Sequence, residues 1–135
     1  MIAPIDRVGP DAGRALEAAG QLTLLDLEEL ARMDRLAAQG DRDATIRARF
    51  LRFHDSNPEV YRELVAMARE LKASGHDRIG VRMLWEALRW RRMIRTSDPS
   101  GYKLNDHYPA HYARRIMDHE PDLDEIFATR QIRTR

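Results

Sequence analysis

The sequence contains no cysteine among its 135 residues. Disulfides, a thiolate nucleophile and a cysteine-based zinc site are therefore excluded, a composition that fits a reducing cytoplasm. Apolar runs are also short, because none approaches the roughly 18 consecutive residues that predict a membrane-spanning helix. The first residues, MIAPIDRVGPDAGR, lack the basic start and the apolar core of a signal peptide. We therefore expect a cytoplasmic protein with no membrane partner.

The sequence also lacks the short motifs that carry chemistry in many enzymes. It has no GxxxxGKS or GxxxxGKT phosphate loop, no GxGxxG and no GxSxG. His107 and His111 are four residues apart, a spacing at which two imidazoles on one helix can share a metal. No HExxH arrangement accompanies them, and Pro109 places His107 at or before the start of the helix. The sequence therefore predicts no enzymatic activity, no cofactor and no metal site.

The sequence has almost no excess of either charge. Its 23 Lys and Arg residues are balanced by 22 Asp and Glu residues, for a net charge of +1. Residues 1–56 hold 8 basic and 10 acidic residues (−2), and residues 57–135 hold 15 and 12 (+3). Lys72 and Lys103 are the only lysines. Arginine suits phosphate recognition, although a GC-rich genome explains its abundance more simply. This asymmetry falls short of the strongly basic surface of a dedicated nucleic-acid binder.

Apolar spacing and capping residues predict a mainly α fold, and alternating βαβ units are absent. The predicted helices lie between the N-cap Thr23 and Gly40, and at about 43–54, 58–73, 81–95 and 109–119. Residues 123–133 fit either a helical turn or a strand. With a strand there, the chain from residue 58 onward has the element order of a winged-helix-like module with a short C-terminal β element.

We expect two parts in the chain, an N-terminal helical extension over 1–43 and a compact multi-helix domain over 44–135. Helix 81–95 carries two apolar stripes, which predicts a central place in the core. If one of the two tryptophans is exposed, we expect it to be Trp90, because Arg89 and Arg91 flank it. The predicted core residues are Phe50, Phe53, Tyr61, Leu64, Leu71, Leu84, Trp85, Leu88, Tyr112, Ile116 and Phe127.

The densest positive charge lies on helix 81–95 and on the helix that follows it. A nucleic-acid-binding helix needs a packed inner face and basic residues on its outer face. Six residues are therefore predicted to contact nucleic acid: Arg89, Arg92, Arg95, Lys103, Arg114 and Arg115. Acidic residues surround this cluster, and the connection of about a dozen residues exceeds the three or four of a helix-turn-helix. A solvated face with ion pairs between helices is the competing interpretation.

Three stretches carry a resemblance to a known family: FLRFHDSNPEVY, GHDRIGVRMLWEALRW, and YKLNDHYPAHYARRIM with a later LDEIFATR. They resemble a family of small uncharacterised proteins from bacteria and their phages, over about residues 50–130. The resemblance implies a self-standing domain over this range and a role on a mobile or regulatory element, such as a phage or prophage. It implies no particular catalytic or binding residue.

Two functional hypotheses follow. The first is a small DNA-binding or DNA-associated regulatory protein that contacts phosphates through its Arg-rich helical surface. The alternative is a helical adaptor or self-associating interaction module without enzymatic activity, with segment 24–37 as its surface. Arginines gathered on one exposed face would favour DNA. An uncovered apolar stripe at Leu27, Leu30 and Met33 would favour the adaptor.

Overall fold

A computed structural model describes residues 22–95 and 105–128 of the chain. The fold is mainly helical, as predicted. The described elements are α1 (Leu24–Ala38), α2 (Arg42–Ser56), α3 (Pro58–Ala73), α4 (Val81–Arg95), α5 (Tyr108–His119) and a 3-10 helix (Pro121–Leu123). The structure contains all five helices that the sequence predicts after residue 23. None of them is long and apolar enough to cross a membrane.

The chain divides into two compact units between Arg62 and Glu63, inside α3. The first unit holds α1, α2 and the start of α3. The second holds the rest of α3, α4, α5 and the 3-10 helix. The expected division into an extension over 1–43 and a domain over 44–135 stays a prediction.

In the first unit, helix α1 begins with the capping box that its sequence predicts. The Thr23 hydroxyl accepts a hydrogen bond from the Asp26 backbone N–H (3.1 Å), and the Asp26 carboxylate accepts one from the Thr23 N–H (2.9 Å). These two bonds satisfy donors that a helix start otherwise leaves unpaired. The helix is followed by Gly40, whose positive φ of 93° a side chain would disfavour.

Helices α1 and α2 pack against each other. Asp41 caps α2 by accepting a hydrogen bond from the Ala44 N–H at 3.0 Å. Two forked arginine–carboxylate pairs then join the helices. Arg47 donates to Glu29 at 2.9 and 3.1 Å, and Arg52 donates to Asp34 at 3.0 and 2.6 Å. Such two-point contacts fix geometry as well as adding energy.

The buried side of α2 is aromatic and includes a histidine. Phe50 and His54 are both fully buried, and their ring centroids lie 6.2 Å apart in a stacked arrangement. The rings of His54 and Tyr61 lie 5.5 Å apart in an edge-to-face arrangement. Phe53, a predicted core residue, is only half-buried, and its neighbour Leu51 is fully buried instead.

In the second unit, α3 ends before Gly75, whose φ of 103° lets the His76 N–H return to the Leu71 carbonyl at 3.1 Å. The chain then meets its C-terminal part in one isolated parallel bridge between Ile79 and Phe127. Within residues 22–95 and 105–128 this bridge is the only β pairing, and no strand is present. Residues 129–133 of the predicted strand or helix lie outside the described residues.

The core of the second unit forms where α4 meets α5. The rings of Trp85 and Tyr112 lie 5.8 Å apart and both side chains are fully buried. The spacing of Tyr108, Tyr112 and Ile116 at four residues puts all three on the inner side of α5, as predicted. Buried aliphatic and aromatic side chains complete this core: Leu64, Leu84, Leu88, Leu123 and Phe127.

Candidate functional site

Helix α4 presents apolar side chains on two opposite sides, and only one of these sides is buried. Leu84, Trp85 and Leu88 face the core of the second unit. At about 100° per residue, a second stripe lies on the other side of the helix. We call it the outer α4 stripe, and it consists of Met83, Ala87, Trp90, Met93 and Ile94.

The outer α4 stripe is open to solvent. The exposed fraction is 64% for Trp90 and 73% for Met93, and both Met83 and Ile94 are more than half exposed. The expectation that Trp90 is the exposed tryptophan is confirmed. The expectation that α4 is central to a core is wrong, because its two apolar sides do not both pack. The four large side chains together expose on the order of 500 Å², the size of patch that is often functional.

Two of the predicted basic residues of α4 form ion pairs with carboxylates of their own unit. Arg89 contacts Asp106 at 3.0 Å and Glu86, one turn earlier, at 3.6 Å. Arg92 contacts Glu63 at 3.0 Å, in a pair whose two side chains are each about four-fifths buried. Two of the predicted nucleic-acid contacts on α4, Arg89 and Arg92, are therefore already paired with carboxylates. This is the arrangement that the competing ion-pair interpretation describes.

The two neighbouring arginines of α5 lie in different environments. Arg114 is exposed, whereas Arg115 has an exposed fraction of only 4% and interacts within the chain. The predicted outward position is therefore wrong for Arg115. The physical reason is its spacing, because it lies three residues after Tyr112 and seven after Tyr108, on the inner side of the helix. That spacing was readable from the sequence.

The structure does not bring the six predicted nucleic-acid contacts together on one open face. The Arg95 side chain and Lys103 lie outside the described residues. Among the four described side chains, Arg89 and Arg92 are paired with carboxylates. Arg115 is buried and Arg114 is exposed. Arg114 is therefore the one exposed cation among the predicted site residues that the structure describes. Contact of these residues with DNA stays a prediction.

Helix α1 offers a smaller apolar surface. Leu24, Leu25 and Leu27 are exposed, but all three lie in its first turn. Leu30 and Met33, which were expected to extend this surface, are half-buried. The uncovered part of α1 is therefore shorter than the outer α4 stripe, which runs over three turns.

A separate cluster of charges joins α3 to the 3-10 helix. Arg69 donates to Asp122 at 2.8 and 2.9 Å and to the buried Glu120 at 2.8 Å. Lys72 donates to the Asp122 carbonyl. The hydrogen bond from Arg69 lowers the pKa of Asp122 below the ordinary value of 3.8, and the same contact raises the pKa of Arg69. The cluster therefore serves as a structural clamp.

This clamp predicts a loss of stability in acid. Because the folded pKa of Asp122 is lowered, its contribution is present above about pH 4 and disappears as pH falls through the folded pKa. The carboxylate is 48% exposed, so solvent screening limits the contribution to roughly 0.5 kcal/mol. We expect urea unfolding between pH 7 and pH 2.5 to show a smaller acid loss in Asp122→Asn than in wild type. Equal losses would contradict this role.

Other chemistry is not assembled in the described ranges. Over residues 22–95 and 105–128, no group of three or more His, Asp or Glu side chains is placed to hold a metal ion. Comparison of the chain with family profiles, with curated proteins and with solved structures found no match. The resemblance to small proteins of bacteria and phages therefore stays a prediction. The outer α4 stripe is the surface that calls for an explanation.

Proposed function

We propose that this protein is a helical interaction module that binds an apolar helical surface of a protein through the outer α4 stripe. The observation that carries the proposal is the exposure of Met83, Trp90, Met93 and Ile94 on a helix whose opposite side is fully buried. Large exposed side chains that follow one helix face are typical of helix-in-groove and helix–helix recognition. An exposed tryptophan at the middle of the stripe is also the residue type most often found at binding hot spots.

The anchoring of α4 supports the same proposal. Trp85, Leu84 and Leu88 hold the inner side of the helix, and on the same side the Arg92–Glu63 pair at 3.0 Å ties α4 to α3. A partner would therefore meet a surface that is already ordered, and binding would cost little conformational entropy. The exposed leucines of α1 occupy one turn only and offer a smaller anchor.

The proposal predicts that one substitution removes binding. Trp90→Glu places a charge in the middle of the stripe and should lower the affinity for any specific partner by more than about tenfold. Tagged wild type would be used to capture proteins from nuclease-treated lysate. Each identified partner would then be purified and titrated by calorimetry against wild type and Trp90→Glu. Leu25→Glu is the matched control, since it makes the same kind of change at an exposed residue of α1.

A second candidate function is the DNA-associated regulator. Arg114 on α5 and Arg82 on α4 are exposed, and Arg91 is partly exposed. Surface ion pairs such as Arg89–Asp106 are weak enough to exchange for phosphate. A winged-helix-like arrangement with a short C-terminal β element belongs to this candidate, and the Ile79–Phe127 bridge is the described feature that supports it.

The same protein samples separate the two candidates. A labelled random duplex would be titrated at several salt concentrations, beside the Arg114→Ala variant. Affinity that falls steeply with salt, and falls again in Arg114→Ala but not in Trp90→Glu, would favour the DNA candidate. Salt-dependent DNA binding with no protein partner and no self-association would overturn the interaction module.

A further inference from the structure

We propose that the outer α4 stripe is a self-recognition surface, on which α4 of one copy packs antiparallel against α4 of a second copy. This inference rests on the proposed function and names its partner. Closed two-fold dimers are the commonest oligomers of soluble proteins, and their interface uses the same patch on both subunits. Such a patch must be complementary to itself.

Four of the five residues of the outer α4 stripe show this self-complementarity, and the fifth, Met93, is level with the buried Leu84 of the other copy. In an antiparallel pair whose two-fold axis passes between residues 88 and 89, the numbers of two residues at the same level add up to 177. Met83 of one copy is therefore level with Ile94 of the other. The same axis sets Ala87 against Trp90. A small residue thus faces the largest one, and flexible Met83 faces branched Ile94, so that neither pairing puts two bulky rings at the same level.

The exposed area is sufficient for a small dimer. With about 500 Å² of large apolar side chain per copy, a two-fold contact would bury at most about 1,000 Å² of this surface in total. That value reaches the lower limit for a specific interface before any flanking polar residue is counted. The first turn of α1, with only Leu24, Leu25 and Leu27 exposed, offers less.

Charges beside the stripe are compatible with an antiparallel pair. Glu86 and Arg89 lie on one flank of the stripe, and the two-fold axis places Glu86 of each copy about 3 Å along the helix from Arg89 of the other. On the opposite flank, the two Arg91 residues lie about 7 Å apart along the helix. Asp106 further neutralises Arg89, so among the described side chains of α4 the repulsion between the two copies is limited to Arg82 and Arg91.

Sedimentation equilibrium of the full chain tests the association. We expect wild type to be a reversible dimer and Trp90→Glu to dissociate with a constant raised by more than about tenfold. Leu25→Glu should dimerise as wild type does. Circular dichroism of both variants would establish that they remain folded, since both substitutions change exposed residues.

Disulfide formation tests the antiparallel register. The chain has no cysteine, so each introduced thiol reports on its own position. We expect Met83→Cys and Ile94→Cys to form few cross-links alone, because the two copies of each position lie about 16 Å apart along the helix, beyond disulfide reach. An equimolar mixture should cross-link residue 83 to residue 94 under mild oxidation. Cross-links in the separate variants would instead indicate a parallel pair and overturn the register.

The outcomes distinguish this inference from the function on which it rests. A wild-type chain that stays monomeric at several hundred micromolar would overturn self-recognition. If Trp90→Glu still abolished binding of a captured partner, the interaction module would stand with a different occupant. A dimer that Leu25→Glu disrupts and Trp90→Glu does not would assign the contact to α1 and overturn the inference. A wild-type chain that neither associates with itself nor captures any protein would overturn both proposals.

Discussion

Replacing Trp85 by alanine is expected to lower the free energy of unfolding by about 3–5 kcal/mol. Trp85 is fully buried and packs on Tyr112, with ring centroids 5.8 Å apart. Alanine would remove the largest side chain of the core of the second unit and leave a cavity that its neighbours can only partly fill. Urea unfolding followed by circular dichroism measures the change, and a loss of native signal in buffer would be its extreme form.

The matched control is the other tryptophan of the same helix. Trp90 is five residues away and 64% exposed, so Trp90→Ala should change stability by less than about 0.5 kcal/mol. Both variants should be measured at a protein concentration where the chain is monomeric, because association adds to apparent stability. Equal losses in the two variants would mean that α4 does not have one buried and one open side.

A third variant separates volume from hydrogen bonding. The Trp85 indole N–H is buried and has no acceptor among the described residues. Trp85→Phe keeps most of the ring while removing this donor. Its cost should therefore be well below that of Trp85→Ala, on the order of 1 kcal/mol.

Replacing Arg115 by alanine is expected to cost about 2–4 kcal/mol of folding stability. Its exposed fraction is 4%, and its side chain interacts within the chain, so alanine would remove both packed methylenes and that interaction. Arg114→Ala, at the adjacent and exposed position, should change stability by less than about 0.5 kcal/mol. Thermal unfolding of the two variants side by side provides the measurement.

This contrast also decides how DNA binding must be tested. A double Arg114/Arg115 alanine variant would lose binding by unfolding as readily as by losing a phosphate contact. Arg114→Ala alone avoids this ambiguity because its side chain is exposed. An Arg115→Ala variant as stable as wild type would contradict a role of Arg115 in folding stability. Arg115 would then count again among the arginines that can contact DNA.

Local sequence signals predicted the helices well. Thr23 and Asp26 form their capping box, Pro58 begins α3, and Gly75 follows its end at a positive φ. These features depend on neighbouring residues along the chain, and such short-range interactions can be read in one dimension. The inner side of α5 followed equally from the four-residue spacing of Tyr108, Tyr112 and Ile116.

The candidate site could be predicted only in part. The sequence identified the basic residues of α4, but not that Asp106 lies 3.0 Å from Arg89 or that Glu63 lies 3.0 Å from Arg92. These partners are 17 and 29 residues away in the chain, and no local pattern indicates which acid a given arginine will meet.

The sequence by itself determined the helical class, the helix limits and the presence of two apolar stripes on α4. Tertiary structure alone decided which stripe is buried. Both stripes have the hydrophobicity to enter a core, but the second unit provides packing partners for Trp85 and Leu88 and leaves Trp90 in solvent. Burial depends on what the rest of the chain places against a surface, and this long-range property turns the outer α4 stripe into a candidate interface.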